Sequence, residues 1–272
     1  SWEATASGNP SLKSLAGKVT ELMPMPQRKT GASYDETIVL NAALEAAVRD
    51  LFSHTGPTGQ RALDAVARRL QTEATDGKPA DVVERSMAYG QSVAAHILAW
   101  SQTDGGATVE NMGFPVSMEL PKGPGLWVPT SAIRQQQLPL LPAWGKNRLF
   151  ALPDSKACGL PPPPAYSEES GSTFHKEALE VYETTKALTD EQKLIARFWS
   201  DDPMLTPTPP GHWIAIVLQI AERDSLTVDR TAEAFARTGI AVADAFIACW
   251  RDKFVFNLVR PITYIRKHID PK

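Results

Sequence analysis

Near the end of the chain, in the stretch ACWRDKFVFNLVRPITYIRKHIDPK, six basic residues (Arg251, Lys253, Arg260, Arg266, Lys267 and Lys272) stand against two acids, Asp252 and Asp270. Such a surplus suits an anion with several oxygens. Lys253 and Arg260 are seven residues apart, and on one continuous helix they would lie within about 20° of each other, so both could serve one ligand. The planar guanidinium bonds two oxygens at once, while the ammonium supplies a compact charge. Pro261 biases Arg260 away from helical dihedrals and removes a backbone donor, so the helix is expected to end or kink just before the arginine. The plainer alternative is two solvated or ion-paired cations. Against it, Phe254, Val255, Phe256, Leu258 and Val259 give the segment a buried look, and a buried cation needs a partner.

The elements that must position these cations read as helices. Residues 34–54 place Ile38, Leu40, Ala43, Leu44, Ala47, Val48 and Leu51 largely on one stripe, an amphipathic helix. The Gly56-Pro57-Thr58-Gly59 turn opens a second helix to about residue 74, and Pro79 opens a third to about residue 102. Helices resume near Phe174. In TDEQKLIARFW, Thr189 and Gln192 have capping-box spacing, and Leu194, Ile195, Phe198 and Trp199 form a face expected to be buried. A helix over 210–223 and a long one over 227–254 follow. No stretch has the period-2 alternation of a strand, so the fold class is all-α.

Between 105 and 170 the texture changes. Pro and Gly are scattered through it, but Trp127, Leu138, Leu140, Leu141, Trp144, Leu149 and Phe150 are too apolar for a solvated tether. The expectation is one helical domain over 1–272, a bundle with a long irregular Pro/Gly-rich insertion packed on the helices.

Composition excludes several classes. With 272 residues, 43% hydrophobic and a net charge of -3, the chain can bury a sizeable core and has no electrostatic drive toward nucleic acid. No apolar run reaches the length of a membrane span. Cys158 and Cys249 lack metal-ligand spacing, so no metal site is expected; the reading is two unpaired thiols with Cys249 buried on a helix, a disulfide being the alternative. The start at Ser1, without Met or an apolar run, leaves open a removed leader or a trimmed chain; a removed leader would imply a periplasmic or secreted protein.

Lys253, six residues, then Arg260-Pro261 resembles the first of three motifs of the superfamily that joins vanadium-dependent haloperoxidases with type 2 phosphatidic acid phosphatases and bacterial class A acid phosphatases. Trp250, three residues before the lysine, resembles an active-site tryptophan of vanadium chloroperoxidases. FWSDDPMLTPTPPGHW and GLWVPT…PLLPAWG are similar to segments of the haloperoxidase branch and of bacterial members.

The resemblance implies an oxyanion site in which Lys253 and Arg260 neutralise the oxygens of vanadate, or of phosphate as substrate or mimic, with Trp250 beside them. It also implies an aspartate that hydrogen-bonds a later arginine; Asp202 is the better match and Asp201 the alternative. His212 is the one histidine weighed for the cleft, against a structural role at a helix start. The Pro-Ser-Gly-His motif and the final Arg…His motif do not occur here. The expectation is therefore the N-terminal part of a larger haloperoxidase-like enzyme, with vanadate bound only in the complete protein and these 272 residues inactive alone. The expected partner is the missing C-terminal half, as a cleaved fragment or domain, or a second copy in a homodimer. The competing readings are an acid phosphatase of the same superfamily and a catalytically silent helical binding module.

Overall fold

A computed structural model of the chain describes residues 1–107, 119–130, 139–201 and 205–271. The helices among them are α1 (Trp2–Ala6), α2 (Glu36–Leu51), α3 (Pro57–Thr75), α4 (Ala80–Ser101), α5 (Thr173–Lys186), α6 (Asp190–Phe198), α7 (Thr208–Arg223), α8 (Val228–Phe256) and α9 (Pro261–His268). The described residues contain no strand, only the isolated bridges Ala16–Val19 and Leu126–Leu258. No described helix is long and apolar enough to cross a membrane. The chain divides into two compact units, Ser1–Asp104 with Trp213–Ala241, and Gly105–His212 with Val242–Lys272.

In the first unit, α2 starts because the Asp35 side chain accepts the amides of Thr37 and Ile38, two donors the helix itself cannot satisfy. It buries Ile38, Val39, Ala42 and Ala43, of which Val39 and Ala43 pack with Tyr89 and Val93 of α4. The crossing is close: a Cβ on Gly90 would lie 2.3 Å from the Val39 carbonyl oxygen and 2.9 Å from the Ala42 Cβ. The stripe expected along α2 therefore splits. Its inner half packs on α4, while Leu44 and Leu51 stay exposed. Pro57 opens α3 at its first turn, and α3 buries none of its residues.

In the second unit, Ser172 caps α5 by accepting the His175 amide. The Thr189/Gln192 capping box of α6 forms as its spacing predicts, each side chain bonding the other's backbone N–H. The face beyond it departs from expectation. Leu194 is 61% exposed, and Ile195, Phe198 and Trp199 are about half exposed. Periodicity identifies an apolar face but not what covers it. The core of this unit joins Phe174 and Ala178 of α5 to Val259 and Tyr264, with Tyr166 packed against them.

Two segments from the 105–170 stretch meet the end of α8. The Trp144–Lys146 turn approaches so closely at Gly145 that a Cβ there would sit 2.5 Å from the Arg251 backbone. Leu126 bridges Leu258, the Trp127 amide donates to the Asn257 carbonyl at 2.8 Å, and the Val259 amide donates to the Gly125 carbonyl at 2.9 Å. Leu138 lies outside the described residues.

Candidate functional site

The long helix α8 ends at Phe256, and Asn257 then adopts φ 42°, in the left-handed region that stops a helix. Leu258 and Val259 follow outside any helix, and Arg260, in an extended conformation, becomes the N-cap of α9, with Pro261 at its first position. The helix ends before the arginine, as Pro261 predicts, so the angular register that would align Lys253 with Arg260 on one helix does not apply. The two cations belong to separate elements.

Each has its own seat. The Lys253 ammonium lies 3.9 Å from the centroid of the Trp250 ring one turn earlier, a cation–π contact. That indole is itself held, stacking on Phe246 at 5.2 Å and donating its N–H to the Leu140 carbonyl at 3.1 Å. Arg260 donates from Nη1 to Thr130 Oγ1 at 2.9 Å and lies 6.0 Å from the centre of the Trp127 ring. Both cations are exposed, and so are Val255 (60%) and Leu258 (39%). The buried setting expected from the apolar sequence is thus corrected: burial falls on Asn257 and Val259, which turn inward, while the cations point to solvent. Cys249, also expected to be buried, is exposed on α8, and both cysteines are free.

The charge surplus has an identifiable location. Asp252 pairs with its neighbour Arg251. Asp270 accepts the Tyr182 hydroxyl and lies 3.9 Å from Lys186. Lys267 pairs with Glu168 at 3.1 Å. Among the described residues Lys253, Arg260 and Arg266 therefore hold no carboxylate, and these three cations are the ones available to an external anion.

Asp202 lies outside the described residues. Its neighbour Asp201 meets His212, with both carboxylate oxygens 3.0 Å from Nδ1. The imidazole stacks on Trp199 at 4.9 Å and takes the edge of Phe198 at 4.6 Å. The side chains of both partners are largely buried, so this is an oriented Asp–His pair in an aromatic clamp.

Residues 233–272, which contain Trp250, Lys253 and Arg260, match the family described as "VCPO second helical-bundle domain". The whole fold matches a crystal structure described as "the first bacterial vanadium dependant iodoperoxidase", with a TM-score of 0.83 and 32% identity over 99% of this chain. The chain has a vanadium haloperoxidase-like fold. It spans 64% of the length of that iodoperoxidase chain. No curated protein sequence is similar enough to count as a match.

Sequence reasoning missed several residues that shape the candidate site and its surroundings in this haloperoxidase-like chain. Asp244 is 4% exposed and accepts three consecutive amides, from Phe150 at 2.6 Å, Ala151 at 2.8 Å and Leu152 at 2.9 Å. A lone acid within AVADAFIACW was the available signal, because a carboxylate on an apolar helix face needs donors. Thr130, which holds Arg260, and Asn257, which ends α8 and donates to the Pro121 carbonyl at 3.4 Å, carried no comparable signal.

Proposed function

We propose that Lys253 and Arg260 form one wall of an oxyanion site that holds vanadate for peroxide-driven halide oxidation in the complete protein. The observation that carries this reading is the pair of exposed cations that, among the described residues, have no carboxylate partner, each steadied by an aromatic ring, while the nearby acids Asp252 and Glu168 are engaged by Arg251 and Lys267. An ammonium and a guanidinium left in this state retain their full charge for an incoming anion. The donor set fits vanadate: it offers hydrogen-bond donors and positive charge to oxygens.

Lys253 would hold one oxygen as a point charge, and the Arg260 fork would hold two. When bound, vanadate would supply the activation of peroxide that lets halide be oxidised. Trp250 orients the ammonium, and Thr130 orients the guanidinium. The histidine chemistry that this superfamily carries on its later motifs would belong to the rest of the complete protein, of which the matched iodoperoxidase chain has a further share.

Calorimetric titration of vanadate tests the reading. Lys253→Ala and Arg260→Ala should each weaken binding by ~1.5 to 3 kcal/mol, the scale of a hydrogen bond to a charged group, with helix content unchanged. The double variant should lose less than the sum, because both groups act on one ligand. Equal affinity in all four proteins would overturn it. Turnover of phosphate esters without halide oxidation would instead favour the phosphatase branch.

A further inference from the structure

A cleft of about 330 Å³ opens between residues 128–130 and α9. Its walls are of two kinds. Val128, Pro129 and Ile262 are apolar, while Thr130, Thr263, Arg266 and Lys267 bring hydroxyls and cations. We propose that this cleft binds an organic anion with a compact apolar body, of the size of a substituted benzoate, at a site that adjoins Arg260 through Thr130 and whose lining does not include Lys253. The inference does not depend on the oxyanion reading given above.

Arg266 anchors the site. It is exposed, holds no carboxylate among the described residues, and lines the cleft. Lys267 contributes less, because Glu168 pairs with it at 3.1 Å. Thr130 is already oriented: its oxygen accepts from Arg260, which leaves its own O–H as a donor. At the start of α9, Pro261 has no N–H, while the amides of Thr263 and Tyr264 turn back to the Arg260 carbonyl. Among the described residues the Ile262 amide therefore has no acceptor, and it is a first-turn donor on a residue that lines the cleft. A carboxylate would meet one full cation and two neutral donors.

The apolar walls decide the class of anion. An inorganic oxyanion gains nothing from Val128, Pro129 or Ile262, whereas an aromatic or branched aliphatic body buries carbon against them. The volume lies at the lower end of the range for small-molecule sites, which favours a body of one ring.

Calorimetry and ligand-observed NMR with 4-hydroxybenzoate, benzyl alcohol and inorganic phosphate test the proposal on the whole protein. 4-Hydroxybenzoate should saturate one site, more tightly than either comparator. Arg266→Gln should weaken it by about tenfold, the scale of one charge-assisted bond. Ile262→Gln should weaken 4-hydroxybenzoate while leaving phosphate unchanged. Both residues are exposed, and melting curves verify that the variants fold. Lys253→Ala should leave 4-hydroxybenzoate binding intact whether or not it alters vanadate binding, which distinguishes failure of this proposal from failure of the oxyanion reading. Absent saturation, indifference to Arg266→Gln, phosphate binding as tight as 4-hydroxybenzoate, or loss of 4-hydroxybenzoate in Lys253→Ala would each overturn the proposal.

Discussion

The carboxylate of Asp244 accepts the backbone N–H of Phe150 at 2.6 Å, and its second oxygen takes the next two amides. One side chain on α8 thereby organises the turn that enters the 150–152 segment. Removing it strands three donors. Asp244→Ala is expected to destabilise the fold by roughly 3 kcal/mol, since an unsatisfied buried donor costs about 1 to 3 kcal/mol and the losses overlap. Asp244→Asn keeps the volume but places an NH₂ against N–H groups, so it should recover less than half of that loss. Urea denaturation of the three proteins measures the difference; a change below about 1 kcal/mol for the alanine variant would show that the amides find other acceptors.

Two glycines in the first unit are expected to respond to alanine with opposite signs. At Gly90 a Cβ would meet the Val39 carbonyl oxygen at 2.3 Å, and relief requires α2 and α4 to separate. Overpacking of this kind costs about 1 to 3 kcal/mol. Gly239 is exposed inside α8 with nothing within 4 Å of its would-be Cβ. There alanine should stabilise by about 0.5 to 1 kcal/mol through helix propensity. Thermal melts of the two variants give the sign of each, and a stabilised Gly90→Ala would mean that the helices cross less tightly than described.

The Tyr166 hydroxyl donates to Glu168 at 2.7 Å. Burial first, and then this bond to a carboxylate, pushes its ionisation up to about 12. A pKa raised in the folded state means that the protonated phenol is favoured by folding. The stabilisation is therefore complete below the usual tyrosine value near 10 and is lost as pH rises through about 12. Absorbance titration near 295 nm should show a late-ionising tyrosine, and Glu168→Gln should bring that phase to lower pH. An unchanged phase would assign the shift to burial alone.

Helix boundaries were legible in the sequence because local chemistry determines them. Thr189 and Gln192 formed their box, Pro57 opened α3, and Pro261 separated α8 from α9, all from short-range rules. Exposure was less legible. Leu194 and Val255 are apolar on helices and yet exposed, because covering a face depends on segments distant in the chain. The cations themselves could be named from spacing and resemblance. Their seats could not, since Thr130 lies 130 residues before Arg260 and Leu140 lies 110 residues before Trp250. Asp244 shows the intermediate case: its need for donors was readable, but their identity was not.

The short non-helical link at 257–259, between Lys253 and Arg260, has a consequence for tuning. Along a helix, spacing changes only in steps of about 1.5 Å per residue. Here the link is stitched at Asn257 and Val259 to residues 125–127, and Gly125 in turn lies so near the Tyr166 ring that a Cβ would sit 2.6 Å from it. A change of side chain at position 125 or 166 would shift that stitch by fractions of an ångström and alter the gap between ammonium and guanidinium while both remain in place. On the proposed oxyanion reading, discrimination between anions of slightly different radius would be adjusted from more than eighty residues upstream, at Gly125 and Tyr166.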